Sequence, residues 1–189
     1  MRPTELFKKW INEEKKLSKA AIPTAVCLCT NGIDGFPNAR TVSFKEIIKN
    51  AFVITGPLNS RKGIELENNN KVALTFWWTE TERQVRVQGT ASKLPDELAD
   101  KYFSSRDINS QAVSSVCTQG KEIINKFKLE EKIEEKVSKG AEILRPTEWG
   151  GFSIKPIRIE FMEFKKTRFH DRKLYEIVND RWNIKQIQP

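Results

Sequence analysis

The spacing of apolar residues predicts a helix near the start of the chain and strands after it. Between Leu6 and Leu17, Phe7 and Ile11 recur at helical spacing among lysines and glutamates. Farther on, apolar and polar residues alternate, which is typical of strands with one buried face, and turn signals such as Asn31-Gly32 separate the segments. The strands predicted in this part are Thr24–Thr30, Ala39–Ile48, Phe52–Thr55, Lys71–Trp78 and Arg83–Leu94.

Helical spacing interrupts the strands at four places. Ser60 can cap a short helix, and Pro95 opens another that continues through Phe103. The most charged helix has Leu129 and Ile133 four residues apart, so we expect its charges to form a solvated face. The helices predicted after the first are Arg61–Asn68, Pro95–Phe103, Asn109–Cys117 and Lys121–Lys139.

The last third of the chain returns to strands. We predict them at Trp149–Phe164, Arg168–Val178 and Trp182–Gln188, with a hairpin turn at Asn179-Asp180 between the last two. About seven strands with helices between them indicate a mainly β fold with α (α+β), an antiparallel barrel with helical additions. The length of 189 residues fits one domain covering residues 1–189.

Composition narrows the chemistry. A net charge of +8 attracts anions, either nucleic acid or small phosphorylated ligands. A single histidine excludes metal sites built from several histidines, and three cysteines without a CxxC motif indicate half-buried thiols rather than zinc ligands or disulfides. No stretch has the length and apolarity of a membrane span or a secretory signal, so we expect a cytoplasmic protein that contacts no membrane.

Three basic or titratable residues near the C-terminus are spaced two apart. In a strand, Arg168, His170 and Arg172 would project from one face. Such groups repel one another unless an anion lies among them, but a solvent-exposed basic face is an equally ordinary outcome. Spacing alone leaves both interpretations open.

A second set of candidate residues is spaced four positions apart along the chain. If one helix continued through them, Tyr102, Arg106 and Ser110 would form a stripe. A phenol, a guanidinium and a hydroxyl together can hold a phosphate, although an ordinary helix surface would show the same spacing.

Further candidates lie at a helix start and on strands. Arg61 and Lys62 follow a turn, where free backbone N–H groups at a helix N-terminus also favour a phosphate. Arg40 and Lys45 differ by an odd number and therefore face opposite sides of a regular strand. Gln84 shares one strand face with other polar residues and could donate to and accept from a flavin ring edge, or simply face solvent.

Taken together, the motifs resemble the pyridoxine/pyridoxamine 5′-phosphate oxidase family over nearly the whole chain. No single motif is specific, but their order and spacing together are. The segments that carry the resemblance are Arg40-Thr41-Val42-Ser43-Phe44-Lys45, Asn59-Ser60-Arg61-Lys62-Gly63, Glu82-Arg83-Gln84-Val85, Tyr102-Phe103-Ser104-Ser105-Arg106, Asn109-Ser110-Gln111, Trp149-Gly150-Gly151-Phe152 and Arg168-Phe169-His170-Asp171-Arg172.

The resemblance implies a split β-barrel homodimer with FMN at the subunit interface. It implies oxidation of pyridoxamine or pyridoxine 5′-phosphate to pyridoxal 5′-phosphate by hydride transfer from C4′ to the flavin. Oxygen is the final acceptor, giving hydrogen peroxide, and the amine substrate also releases ammonia. The protein's own share of such catalysis is orientation and electrostatics.

The resemblance also implies roles for individual residues. The implied FMN contacts are Arg40, Lys45, Thr55, Arg61, Lys62, Gln84, Gln119, Met162 and Arg172. The implied contacts to the substrate phosphate are Lys45, Tyr102, Arg106 and Ser110. Arg168 and His170 correspond to the positions beside the pyridine ring, where they would orient the reacting carbon.

The chain departs from the family pattern at several positions. Met162 replaces a usual tryptophan near the flavin, Gly120 replaces a serine near the cofactor phosphate, and Gln186 replaces an arginine close to the C-terminus. We expect these differences to affect affinity more than reaction type.

Two other functions compete with this interpretation. A flavin oxidase of the same fold could act on a different substrate, as the phenazine-biosynthesis oxidases do. A non-catalytic basic protein could bind nucleic acid or carry pyridoxal phosphate, with aromatic residues as stacking platforms. We expect no nucleic acid as a partner, because runs such as Phe76-Trp77-Trp78 indicate a core or a dimer interface, and no metal, because the chain has a single histidine and no CxxC motif.

Overall fold

The computed structural model describes residues 1–189 and contains five helices and eight strands, one for each of the segments predicted from the sequence. The helices are α1 (Pro3–Leu17), α2 (Arg61–Asn68), α3 (Asp96–Ser104), α4 (Ile108–Val116) and α5 (Lys126–Ser138). The strands are β1 (Ala25–Asn31), β2 (Pro37–Ile48), β3 (Ala51–Pro57), β4 (Lys71–Trp78), β5 (Arg83–Lys93), β6 (Trp149–Glu163), β7 (Asp171–Val178) and β8 (Arg181–Ile187). No helix has both the length and the apolarity needed to cross a membrane.

Six antiparallel strands close into a barrel in the order β3-β2-β1-β4-β5-β6, and pairing of β3 with β6 completes the ring. β6 is long enough to pair with β3 and β5 and also with β7, which with β8 forms a hairpin extending the sheet. Asn179 and Asp180 both have positive φ, as the hairpin turn between these strands requires. The predicted α+β barrel is thereby confirmed.

Aromatic rings from α1 and from three strands fill the barrel. Phe7 is fully buried, and its ring lies 4.8 Å from that of Phe52 and 4.7 Å from that of Phe76. Edge-to-face packing of this kind adds to the stabilisation from burying apolar area. The helix is also anchored at its end, because the buried Glu14 accepts hydrogen bonds from the backbone and hydroxyl of Thr81.

A second, smaller core lies outside the barrel. It joins Val53 on the outer face of β3 to Phe103 on α3 and Trp149 at the start of β6. The rings of Phe103 and Trp149 are 5.1 Å apart at a steep angle. This packing holds α3 and α4 against the outside of β2 and β3.

Two predictions of where an element begins were wrong, and the stripe that one continuous helix would have formed is absent, in agreement with the two separate helices predicted. The helix predicted from Lys121 begins only at Lys126. The stretch through Tyr102, Arg106 and Ser110 is not one stripe, because the first helix ends at Ser104 and Asp107 caps a new one by accepting from the Ser110 backbone N–H.

The strand predicted from Arg168 begins at Asp171. Arg168 lies in a turn with φ of 67°, so Arg168, His170 and Arg172 do not share one strand face. The three cysteines are half-buried and free, as expected.

Candidate active site

A cavity of about 430 Å³ lies on the outside of the barrel between β2, β3, α2 and α4. Five of the residues singled out from the sequence line it: Lys45, Thr55, Lys62, Arg106 and Gln119. Ser114 and Cys117, which belong to none of the sequence motifs, line it as well, and so does Trp149, which belongs to a motif but was given no role. Among the five residues singled out from the sequence, the structure brings together positions as far apart in the chain as Lys45 and Gln119, which are separated by 74 positions.

Lys62 places a buried ammonium at the edge of the cavity. Its Nζ donates to Ser60 Oγ at 2.9 Å and to Gln119 Oε1 at 2.6 Å. Ser60 occupies the N-cap position of α2, but its hydroxyl donates to the Pro57 carbonyl instead of capping the helix. Burial, followed by the nearby charge of Arg40, lowers the pKa of Lys62 to about 8.

A second basic cluster closes one end of the barrel around Glu65, which is fully buried. Arg40 lies opposite Leu28 on the inner face of β2 and donates to Glu65 Oε2 at 2.9 Å and to the Thr30 hydroxyl. Arg61 donates to Glu65 Oε1 at 2.9 Å. Although burial opposes ionisation of Glu65, the hydrogen bonds from Thr30, Arg61 and Arg40 together lower its pKa.

Lys45 and Arg106 form the cationic wall of the cavity. Burial and the charge of Arg106 lower the pKa of Lys45, and burial lowers the pKa of Arg106. The guanidinium of Arg106 donates to Ser114 Oγ at 2.7 Å and lies 5.1 Å from the Trp149 ring centroid. These contacts fix its orientation toward the cavity without neutralising it.

Tyr102 and Ser110 lie next to this wall rather than on the cavity lining. Tyr102 is buried and its hydroxyl donates to Glu46 Oε1 at 2.7 Å. Ser110 is half-buried in the first turn of α4. The structure thus places both residues on the two helices that border the cavity.

A row of three side chains crosses three neighbouring strands. We call it the strand row, and it consists of Gln84, Met162 and Arg172. Gln84 on β5 lies opposite Met162 on β6, and Met162 lies opposite Arg172 on β7. Arg172 donates to Glu160 Oε1 from two nitrogens, at 2.9 and 2.7 Å, and to the Gln188 carbonyl.

Arg168 and His170 lie in the loop before β7. His170 Nδ1 accepts a hydrogen bond from the Lys165 backbone N–H at 3.0 Å, and its ring lies 4.8 Å from that of Phe164. Arg168 is exposed and makes no side-chain hydrogen bond or ion pair. These two residues lie near the strand row, not near the cavity.

The cavity and the strand row are separate within one protomer. The path around the barrel from the cavity to the strand row can be followed through paired residues. Thr41 on the cavity wall pairs with Cys27 on β1. Cys27 pairs with Thr75 on β4, and Thr75 pairs with Arg86 on β5. Three inter-strand steps correspond to roughly 14 Å around the barrel. Gln84 lies two residues beyond Arg86, so a single protomer does not bring the two groups of residues into contact.

The donors of the cavity fit a phosphate ester. Lys45, Lys62 and Arg106 are at least half-buried, and none forms an ion pair with a carboxylate. Buried cations without a counter-ion are costly, and a bound anion would offset that cost. The N-terminus of α2 adds backbone donors and a favourable dipole at the same place.

Sequence motifs missed the acidic partners. Glu65 could have been suspected from its spacing of four from Arg61, but its complete burial depends on how α2 packs on the barrel end. Glu46 gives no such signal, because its contact with Tyr102 joins residues 56 positions apart.

Two family models match this chain. The model described as "Pyridoxamine 5′-phosphate oxidase" matches residues 14–138, and "Pyridoxine 5′-phosphate oxidase C-terminal dimerisation region" matches residues 149–189. A pyridoxine/pyridoxamine 5′-phosphate oxidase from Trichormus variabilis is 39% identical over 99% of this chain and 88% of that protein. One from Leptospira biflexa is 37% identical over 99% of this chain and 89% of that protein.

Solved structures agree with the barrel. PhzG from Burkholderia lata, in complex with tetrahydrophenazine-1-carboxylic acid, superposes with a TM-score of 0.94 at 28% identity, covering 100% of this chain and 93% of that one. An FMN-binding protein from Nostoc punctiforme, related to pyridoxamine 5′-phosphate oxidase, gives a TM-score of 0.83 at 14% identity, covering 100% and 99%. The second similarity supports the fold alone.

Proposed function

Since this chain belongs to the pyridoxine/pyridoxamine 5′-phosphate oxidase family, we propose that it binds FMN and oxidises pyridoxamine or pyridoxine 5′-phosphate to pyridoxal 5′-phosphate. The observation that carries the proposal is the cavity in which Lys45, Lys62 and Arg106 converge without a carboxylate partner. FMN and the substrate each carry a phosphate, so the site needs two anion subsites.

The cations divide into two such subsites. Lys62 lies with Arg40 and the start of α2, whereas Lys45 lies with Arg106 beside α4. We assign the first group to the FMN phosphate and the second to the substrate phosphate. The proposed FMN contacts are Arg40, Lys45, Thr55, Arg61, Lys62, Gln84, Gln119, Met162 and Arg172, and the proposed substrate contacts are Lys45, Tyr102, Arg106, Ser110, Arg168 and His170.

When bound, FMN would supply the acceptor for the hydride from C4′ of the substrate, with oxygen taking the electrons and giving hydrogen peroxide. The protein's residues supply position. Lys45 and Arg106 hold the phosphate end of the substrate, and the stacking of Arg106 on Trp149 fixes where that end lies. We assign Arg168 and His170 to the other end, where they would hold the pyridine ring.

We further propose that the site forms between two copies of the chain. Residues 149–189 match a dimerisation region, and that region holds Met162, Arg168, His170 and Arg172. The cavity residues all precede it except Trp149. A homodimer could bring the strand row of one copy to the cavity of the other, which a single protomer does not do.

An anaerobic half-reaction tests the function directly. The protein is loaded with FMN, freed of excess cofactor and mixed with pyridoxamine 5′-phosphate under nitrogen. We expect the absorbance of the oxidised flavin to bleach and to recover when air is admitted. Retained flavin that does not bleach would contradict the assigned substrate.

The similarity to PhzG supports one alternative, an oxidase of the same fold that acts on a phosphate-free carboxylic acid. Lys45 and Arg106 could hold a carboxylate as well as a phosphate. The same experiment separates the two, because bleaching by a reduced phenazine carboxylic acid, and not by pyridoxamine 5′-phosphate, would favour the alternative. The sequence relatives of higher identity favour the phosphate ester.

A further inference from the structure

Glu46 lies beside the proposed substrate phosphate site because β2 contains a bulge. β2 advances three residues, from Phe44 to Ile47, while its partner β3 advances only two. Phe44 and Ile47 both pack in the barrel core. The two residues between them, Lys45 and Glu46, therefore both leave the barrel on its outer side, toward α3.

The hydroxyl group of Tyr102 uses its single proton in a hydrogen bond to Glu46. Tyr102 Oη donates to Glu46 Oε1 at 2.7 Å. Burial, followed by the hydrogen bond and charge of Glu46, raises the pKa of Tyr102, so the side chain remains a neutral phenol. A phenol has one proton to donate, and a phosphate offers only acceptors near neutral pH. While Tyr102 donates to Glu46, it cannot donate to a phosphate.

We infer that Glu46 is a specificity-determining residue that weakens the substrate phosphate subsite. It does so by holding the Tyr102 proton through the hydrogen bond of 2.7 Å. The inference rests on the proposed function, which makes these residues the contacts of the substrate phosphate. Its consequence is a smaller preference for the 5′-phosphate ester over the 5′-hydroxyl vitamer than Lys45, Arg106 and Tyr102 alone would give.

Steady-state kinetics of the FMN-loaded protein test the inference. Pyridoxamine 5′-phosphate and pyridoxamine are compared as substrates for the parent chain, Glu46→Gln and Glu46→Ala. We expect KM for the phosphate ester to fall about five- to tenfold in Glu46→Ala, the size of one net hydrogen bond, and less in Glu46→Gln, whose side-chain carbonyl can still accept from Tyr102. We expect kcat to stay within about twofold and KM for pyridoxamine not to change, because both substrates share the reacting carbon.

Two further variants make the result specific. Glu134→Gln, on the exposed face of α5, removes the same charge far from the cavity and should change neither KM. Tyr102→Phe should raise KM about fivefold more in the Glu46→Ala background, where no side-chain acceptor competes for the Tyr102 proton, than in the parent. An equal cost of Tyr102→Phe in both backgrounds, or a KM that does not fall in Glu46→Ala, would overturn the inference.

Binding of inorganic phosphate separates failure of this inference from failure of the proposed function. Calorimetry on the protein with FMN in excess should show tighter phosphate binding by Glu46→Ala than by the parent. If the parent oxidises neither vitamer but this difference is present, the proposed function is wrong and the role of Glu46 stands. If the parent oxidises the phosphate ester and phosphate binding is the same in both proteins, the role of Glu46 is wrong and the function stands.

Discussion

Single charges decide what the cavity can bind, and Lys62 is the charge most sensitive to pH. Its pKa of about 8 lies below the ordinary lysine value because burial disfavours the ammonium. A phosphate favours the ammonium form of Lys62, so by linkage phosphate binding is strongest below pH 8 and weakens as pH rises above 8.

The effect of pH on folding stability, which Lys62 exerts in the protein without ligand, has the opposite sign. The unfolded chain binds the extra proton between pH 8 and 10.5, so this group makes folding more favourable as pH rises through that window.

We therefore expect FMN affinity to fall by up to about tenfold per pH unit above pH 8. Lys62→Arg should remove most of that pH dependence because a guanidinium stays charged. Fluorescence titration of FMN between pH 6.5 and 9.5 measures both proteins under the same conditions. The same slope in Lys62→Arg would show that another group titrates.

Glu65 is the counter-ion of the second basic cluster, which Arg40 and Arg61 form at one end of the barrel. It is fully buried and receives hydrogen bonds from Arg40, Arg61 and Thr30. Glu65→Gln should lower the free energy of unfolding by roughly 3 kcal/mol, because it leaves charged partners without their counter-ion in a buried place. Urea denaturation measures the change, with Glu67→Gln, exposed on the same helix, as the control that should stay within about 0.5 kcal/mol. Equal stability of the two variants would contradict this role.

At the scale of single residues, the sequence indicated the basic residues of the site but not the acidic residues that contact the site. Lys62 and Gln119 were singled out separately, and the structure places them 2.6 Å apart. Glu65 and Glu46 were not singled out, because an acidic residue on a basic chain resembles ordinary surface until its neighbours are known. Thr30 and Arg40 contact Glu65, and Tyr102 contacts Glu46, from other elements of the fold, and the spacing of residues along the chain carries no such information.

Among the elements, α2 packs tightly against the turn that precedes it. A Cβ added to Gly63 would lie 1.8 Å from the Leu58 carbonyl oxygen, which is backbone and cannot rotate away. The turn before the helix therefore presses directly against its first turn, and this contact sets the position of Lys62.

Gly63→Ala should displace α2 and lower FMN affinity by more than about tenfold, even though alanine is the better helix former by about 1 kcal/mol. Ile64→Ala, an exposed position on the same helix, is the matched control and should bind FMN normally. Equilibrium binding of FMN and thermal unfolding measure both variants. A Gly63→Ala protein that is stabilised and binds FMN as the parent does would show that the turn can yield.

Strands and helices with strong periodicity could be predicted from the sequence, but their interruptions could not all be located. Period-two alternation in β5 buries Val85 and Val87 and leaves Gln84 outside, as expected. The bulge in β2 was missed, because Lys45 and Glu46 look like an ordinary pair on opposite faces until the pairing with β3 is known. The new helix at Ile108 had a signal in Asp107, which serves as an N-cap three residues before Ser110.

For the whole molecule, local pattern predicted a barrel but not how it closes. Pairing of β3 with β6 joins Thr55 to Gly151, and no local signal specifies a contact across 96 positions. This closure separates the cavity from the strand row, and the separation makes the proposed site depend on a second copy of the chain.

A mixed dimer tests whether two copies build each site. One chain carries Lys45→Ala with Arg106→Ala and the other carries Arg168→Ala with His170→Ala, and two affinity tags select the heterodimer. Each homodimer should have little activity. If the cavity of one copy works with the loop of the other, the heterodimer has one site with both halves intact and should regain about half of the activity of a doubly tagged parent dimer. If each site lies within one protomer, both sites of the heterodimer are damaged and its activity stays at the homodimer level. Retained FMN in the heterodimer, checked by absorbance, ensures that the comparison concerns the reaction and not loss of the cofactor.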